Sequence, residues 1–152
     1  MDRVLTTLRT NPRDRRLLIN AWRPDHLEEL SLPCCHWSYQ FWSDGTHLSM
    51  LWNQRSADWA VGVPSDALFA SVMLACFAQL AGQKPRMVKM VFGDAHLYED
   101  HVEQMNEQTK IPLRDAPRYS LAEQKNLYSF KPEDLTITDY NPHDPIKYAL
   151  FE

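Results

Sequence analysis

Apolar and polar residues alternate with a period of two over His36–Trp42. Trp37, Tyr39 and Phe41 share one side; His36, Ser38 and Gln40 share the other. That is the pattern of a half-buried strand. Ser43-Asp44-Gly45-Thr46 is rich in turn formers, and Leu48–Asn53 alternates again, so the two segments predict a hairpin. Ser65–Leu80 is apolar nearly all round (Leu68, Phe69, Val72, Met73, Leu74, Phe77, Leu80) and stops at Gly82, which predicts a buried central helix. Around this nucleus the pattern predicts a short helix over Asp2–Arg9, halted by Asn11-Pro12, and short strands over Leu17–Trp22 and Met87–Val91. A polar-faced helix is expected over Tyr98–Gln108. Beyond it the tail is punctuated by Pro112, Pro117, Pro132, Pro142 and Pro145, with one strand near Leu135–Ile137. The expected class is α+β: a mixed sheet wrapped on one hydrophobic helix, in a single domain over residues 1–152.

Composition narrows the function. The 152 residues are 44% hydrophobic with a net charge of −4 and a pI near 5.8, a globular chain without the basic face that nucleic-acid binding needs. The N-terminus lacks a signal-like apolar segment and no run is expected to reach membrane-spanning length, so a soluble, cytoplasmic protein is expected. Cys34, Cys35 and Cys76 are odd in number, and two of them are adjacent. This suits a reduced thiol enzyme better than a disulfide framework.

Leu32-Pro33-Cys34-Cys35-His36 opens the first strand of the hairpin, and Gln54-Arg55-Ser56-Ala57-Asp58 closes the second. A thiol beside a histidine, with a guanidinium that can grip an anion two oxygens at a time, points to covalent chemistry on a phosphorylated substrate. A free cysteine is more often a small buried hydrophobe, and neighbouring motifs decide between the two. Metal binding finds little support. His96 and His101 lack the spacing and glutamate of a zinc helix, and Cys34-Cys35-His36 is too tight for a tetrahedral cage.

Those two motifs, with Gly62-Val63-Pro64, Gly93-Asp94-Ala95-His96-Leu97-Tyr98 and Tyr140-Asn141-Pro142-His143, stand in the order and spacing of thymidylate synthases. Asn11-Pro12-Arg13-Asp14-Arg15-Arg16 resembles the family's double-arginine segment. The resemblance runs from Met1 to Glu152 and corresponds to the C-terminal part of such an enzyme. It implies one-carbon transfer, as hydroxymethylation or methylation, to C5 of a pyrimidine deoxynucleoside monophosphate, with 5,10-methylenetetrahydrofolate as co-substrate. Cys35, flanked by His36, is then the nucleophile that adds at C6, and Arg55 assists its thiolate. Arg55, Ser56 and Gln54 line the nucleotide; Arg15 and Arg16 reach the phosphate of a neighbouring subunit across a two-fold axis, so a homodimer with shared phosphate sites is implied. His96 and Tyr98 hold the sugar hydroxyl. Asp58, Gly62 and Ala149 lie toward the folate, and Ile146–Glu152 corresponds to a closing C-terminal flap. Cys34 stands where the family usually has proline.

One departure bears on the substrate. After Gly62-Val63-Pro64-Ser65 the family has an asparagine that donates to uracil O4 and accepts from N3–H. This chain has Asp66. Cytosine reverses both demands, and a carboxylate accepts from its 4-amino group, so dCMP is favoured, as in deoxycytidylate hydroxymethylases. A role for Asp66 as a simple helix cap is the plainer reading. Two alternatives stay open: a dUMP-specific enzyme, and a catalytically silent nucleotide-binding subunit that lacks the family's N-terminal part.

Overall fold

The computed structural model describes residues 1–149. The flap expected over Ile146–Glu152 falls partly on Leu150, Phe151 and Glu152, which lie outside the described residues. In chain order the elements are α1 (Asp2–Thr10), β1 (Leu18–Asn20), β2 (His36–Ser43), β3 (His47–Asp58), α2 (Gly62–Leu80), β4 (Lys84–His96), α3 (Val102–Lys110), β5 (Arg118–Leu121) and β6 (Leu135–Thr138). Among the described residues four short 3-10 turns lie between them.

The hairpin forms where the alternation places it. Asp44 accepts the N–H groups of Thr46 and His47 at 2.8 and 2.7 Å, and Gly45 takes a φ of 98° that a side chain would resist. Those backbone donors, His47 first, hold the Asp44 carboxyl below its ordinary range. β3 then runs parallel to β4, which a tight turn cannot achieve, so the chain crosses over through α2. The sheet order is β1-β2-β3-β4. Tyr39, Phe41, Leu48, Met50 and Trp52 meet Leu74 and Phe77 of α2 in the core, with Phe41 stacked on Phe77 at 4.6 Å. Val4, Leu5 and Leu8 of α1 close one side, and Arg9 Nε donates to the Leu80 carbonyl at 2.7 Å, a cation at the negative end of α2.

The α+β class and the mixed sheet stand as expected, with several corrections. A bulge between His36 and Ser38 breaks the alternation of β2, so Trp37 turns outward (40% exposed) while Tyr39 and Phe41 stay buried. The helix begins at Gly62 rather than Ser65, because proline fits a first turn. It is buried only in its C-terminal half: Leu68 and Phe69 are more than half exposed. At 19 residues it is also long and apolar enough by length and composition to cross a membrane, against the expectation. Ala70, Leu74, Phe77 and Ala78 nonetheless seal it against the sheet as a core helix. Both strands that carry motifs extend further than their alternation: β3 to Asp58 and β4 to His96. The strand expected over Leu17–Trp22 shrinks to Leu18–Asn20, and the helix expected from Tyr98 begins as a 3-10 turn at Glu99–His101 before α3. β5, which shows no alternation, pairs antiparallel with β6. The side-chain amide of Gln79 ties α2 to the end of β5, donating to the carbonyls of Leu121 and Ala122 at 3.1 and 3.0 Å.

Candidate active site

The bulge that turns Trp37 outward also sets the start of β2 beside the end of β3. His36 pairs with Gln54, and the Arg55 N–H donates to the Cys35 carbonyl at 2.8 Å. The Arg55 side chain then curls over the preceding loop. Its Nε donates to the Cys34 carbonyl at 3.1 Å, and its Nη2 to the Pro33 carbonyl at 2.7 Å and toward Cys35 Sγ at 3.9 Å. One guanidinium thus fixes the loop that carries the thiol and places positive charge beside the sulfur, while Nη1 takes part in none of these bonds. Trp22 lies under the guanidinium, 5.9 Å from its ring centre. Cys35 is half-buried, whereas Cys76 is buried in α2 and its thiol is pushed up, mainly by that burial.

Behind the thiol lies a compact aromatic and polar cluster. His36 Nδ1 and the Tyr39 hydroxyl are 2.5 Å apart, and the His36 ring packs on Trp52 at 4.6 Å and Phe69 at 6.0 Å. Burial, with the charges of Cys34 and Asp66 adding to it, pushes the Tyr39 hydroxyl up to about 12. Trp52 Nε1 donates to Gln54 Oε1 at 3.0 Å. Gln54 Nε2 donates to the Ser56 carbonyl at 3.0 Å and to Asp66 Oδ2 at 2.7 Å. Asp66 is therefore held by a side chain of β3, and no cap bond from it to the helix backbone is present.

The N-terminus of α2 is capped instead by Asp58, which accepts N–H groups from Ala60, Val61 and Gly62 at 3.1, 3.3 and 3.2 Å. Both residues expected near the folate, Asp58 and Gly62, thus take part in one backbone turn. Beside it Trp59, nearly half exposed, meets Phe92 edge-on at 5.6 Å. Asp58 pairs with His96, so the two parallel strands end together. Open sheets commonly present ligand sites at such carboxyl ends. His96 Nδ1 lies 3.6 Å from Asp94 Oδ1, and the rings of His96 and Tyr98 meet edge-on at 5.3 Å. His101, buried behind Tyr98, bonds through Nε2 to the Ala149 carbonyl at 2.7 Å, which brings the chain end to the same corner.

One end of the sheet therefore gathers Cys35, His36, Gln54, Arg55, Ser56, Asp58, Gly62, Asp66, His96, Tyr98 and Ala149. Arg15 and Arg16 are elsewhere. Leu18 pairs with Gln40, so the two arginines sit at the far end of β2, about 20 Å from Cys35 at strand spacing. Both are exposed, and Asp14 grips Arg16 through Nε and Nη2 at 3.1 Å each. Sequence reasoning missed Tyr39, Trp52 and Phe69 as parts of the site, because each reads as an ordinary apolar position. Only the i, i+2 spacing of Trp52 and Gln54 on one strand face signalled their contact. Among the described residues no three His, Cys, Asp or Glu side chains gather as a metal-binding group.

A family model described as thymidylate synthase matches residues 1–151. A thymidylate synthase of Zymomonas mobilis is 39% identical over 150 residues, covering 97% of this chain and 50% of that protein. The chain spans about half the length of the curated relative it matches.

Proposed function

The chain belongs to the thymidylate synthase family, and from that premise we propose that it transfers a one-carbon unit to C5 of a pyrimidine deoxynucleoside monophosphate, with dCMP preferred. The observation that carries the reading is the convergence of Cys35, Arg55 and Asp66 at one end of β2 and β3. The Cys35 thiolate adds to C6 of the base. The electron pair of the C5–C6 bond moves to C5, which takes the methylene carbon. Loss of the C5 proton accompanies breaking of that carbon's bond to the folate nitrogen. Addition of hydride from the folate or of water, with expulsion of the thiolate, then restores the ring as a methyl or hydroxymethyl product. Arg55 stabilises the thiolate by its charge and, with Ser56, offers donors to the phosphate. His96 and Tyr98 hold the sugar, and Gln54 holds Asp66 against the base edge.

Methylenetetrahydrofolate supplies the one-carbon unit when bound. The turn from Asp58 to Gly62 suits a flat, polar ring system, since the half-exposed Trp59 ring beside it offers an aromatic face. Ala149, joined to His101, borders the same corner.

The active form is a homodimer. Leu18, Trp42, Met87 and Val91 lie on the sheet face opposite α2, each 44–56% exposed, an apolar surface suited to a second copy. Arg15 and Arg16, remote from their own chain's thiol, would then complete the partner's phosphate site. Mixing Arg16→Ala chains with Cys35→Ser chains should regenerate one intact site per hybrid dimer, and a protein that stays monomeric at micromolar concentration contradicts this.

The base preference is tested by calorimetric binding of dCMP and dUMP. The account expects dCMP to bind more tightly to the protein and dUMP more tightly to Asp66→Asn. A mismatched pair of buried hydrogen bonds costs about 2–4 kcal/mol, or about one and a half to three decades of discrimination. Unchanged relative affinities would leave a uridylate-specific relative.

A further inference from the structure

We propose that Trp52 is a specificity-positioning residue: through Gln54, its indole N–H decides which atom of residue 66 faces the base. The inference rests on the base-reading role of Asp66 proposed above. An indole nitrogen can only donate. With Trp52 Nε1 donating at 3.0 Å, the oxygen of the Gln54 amide must face Trp52 and its nitrogen must face the other way. That nitrogen donates to the Ser56 carbonyl at 3.0 Å and to Asp66 Oδ2 at 2.7 Å. Trp52 is fully buried and Gln54 is 3% exposed, so water cannot compensate for a reversed amide. Reversal would set N–H against N–H at Trp52 and oxygen against oxygen at Ser56 and Asp66.

A fixed donor aimed at residue 66 accepts only an acceptor there. Asp66 spends Oδ2 on Gln54, which leaves Oδ1 to face outward as an acceptor suited to a 4-amino group. An asparagine at the same position would spend its oxygen on Gln54 and turn its amide N–H outward, suited to a 4-oxo group. The Trp52–Gln54 pair therefore converts the identity of residue 66 into one defined polarity at the base edge. Without the indole, the Ser56 carbonyl and the acceptor-only Asp66 carboxylate still hold Gln54 in this orientation, whereas an asparagine at 66 could reverse together with it.

Trp52→Phe isolates the effect, because its ring contacts with His36 (4.6 Å), Tyr39 (4.7 Å) and Phe69 (5.8 Å) can persist while the N–H is lost. Calorimetric binding of dCMP and dUMP is compared for the full chain, Trp52→Phe, Asp66→Asn and the double variant. The expected result is opposite base preferences for the parent and Asp66→Asn. Adding Trp52→Phe should move the Asp66→Asn ratio about five- to tenfold toward unity, the size of one net hydrogen bond, and leave the parent's ratio in place, since either oxygen of its carboxylate accepts. A purely structural role for Trp52 would weaken both nucleotides alike; an Asp66→Asn ratio unmoved by Trp52→Phe overturns the proposal while leaving the role of Asp66 intact. Ratios that do not follow residue 66 at all remove the base-reading role, and the proposal falls with it. Should Trp52→Phe fail to fold, Gln54→Glu in the Asp66→Asn background decides. It keeps an oxygen for the indole but presents another to residue 66, so the asparagine must reverse and preference must return to dCMP. A persistent dUMP preference there overturns the proposal.

Discussion

Replacing Gly93 by alanine should disturb the thiol loop from the neighbouring strand. Gly93 lies in β4 between Phe92, paired with Gln54, and Asp94, paired with Ser56, which sets it against Arg55. A Cβ there would stand 2.8 Å from the Arg55 carbonyl oxygen and 3.5 Å from its carbonyl carbon and Cα. The obstacle is backbone, so no rotamer relieves it. The strands must separate from 2.8 Å toward the 3.4 Å at which ordinary contact begins. Overpacking of this kind costs about 1–3 kcal/mol, set against about 0.4–1 kcal/mol gained by restricting the unfolded chain. A net loss of about 1–2 kcal/mol in urea denaturation is expected. Because the Arg55 backbone also holds the Cys35 carbonyl, nucleotide affinity should fall with it. Gly45→Ala is the control. It strains a positive φ at the hairpin turn, so it should lower stability while sparing binding. Full stability together with parental nucleotide affinity in Gly93→Ala would refute the argument.

The alkaline limb of stability should depend on Tyr39. Burial holds its hydroxyl up to about 12, above the ordinary tyrosine value of about 10. The folded state thus keeps the proton more tightly than the unfolded chain, and stability is retained below pH 10 and lost as pH rises toward 12. The loss is on the order of 2 kcal/mol. Tyr39→Phe should lack this component, and parallel pH–stability curves for the two proteins would contradict it. Asp58→Ala removes the acceptor of three backbone N–H groups at the start of α2. It should cost about 1–2 kcal/mol by thermal unfolding, with Asp58→Asn recovering much of it; a loss under 0.5 kcal/mol would show the cap to be dispensable. Alkylation followed by peptide mapping should label Cys35 well before Cys76, whose thiol is buried and pushed up. Equal rates would mean that α2 is not packed as described.

The strands and helix of the nucleus were legible because each buries one face, and burial writes a period into the sequence. The limits of that signal are physical too. β3 and β4 run on past their alternation because parallel pairing and the crossover, rather than one solvated face, carry them to Asp58 and His96. Trp37 misled because a bulge shifts register by one residue without changing composition. β5 is short and exposed, and its pairing with β6 depends on a distant partner that no local pattern announces. In the site, motif residues such as Cys35 and Arg55 could be named from sequence. The orientation of Gln54 could not, because it follows from which buried donors and acceptors meet in three dimensions.

The central claim is that Cys35 forms a covalent bond to the pyrimidine, and intact-mass spectrometry of the full chain with a 5-fluoropyrimidine deoxynucleotide and methylenetetrahydrofolate tests it most directly. A fluorine at C5 cannot leave as a proton does, so the adduct should accumulate. The account predicts an added mass in the parent protein, in Cys34→Ala and in Cys76→Ala, and none in Cys35→Ser. An adduct that survives in Cys35→Ser, or that vanishes with Cys34→Ala while Cys35 is intact, would contradict it.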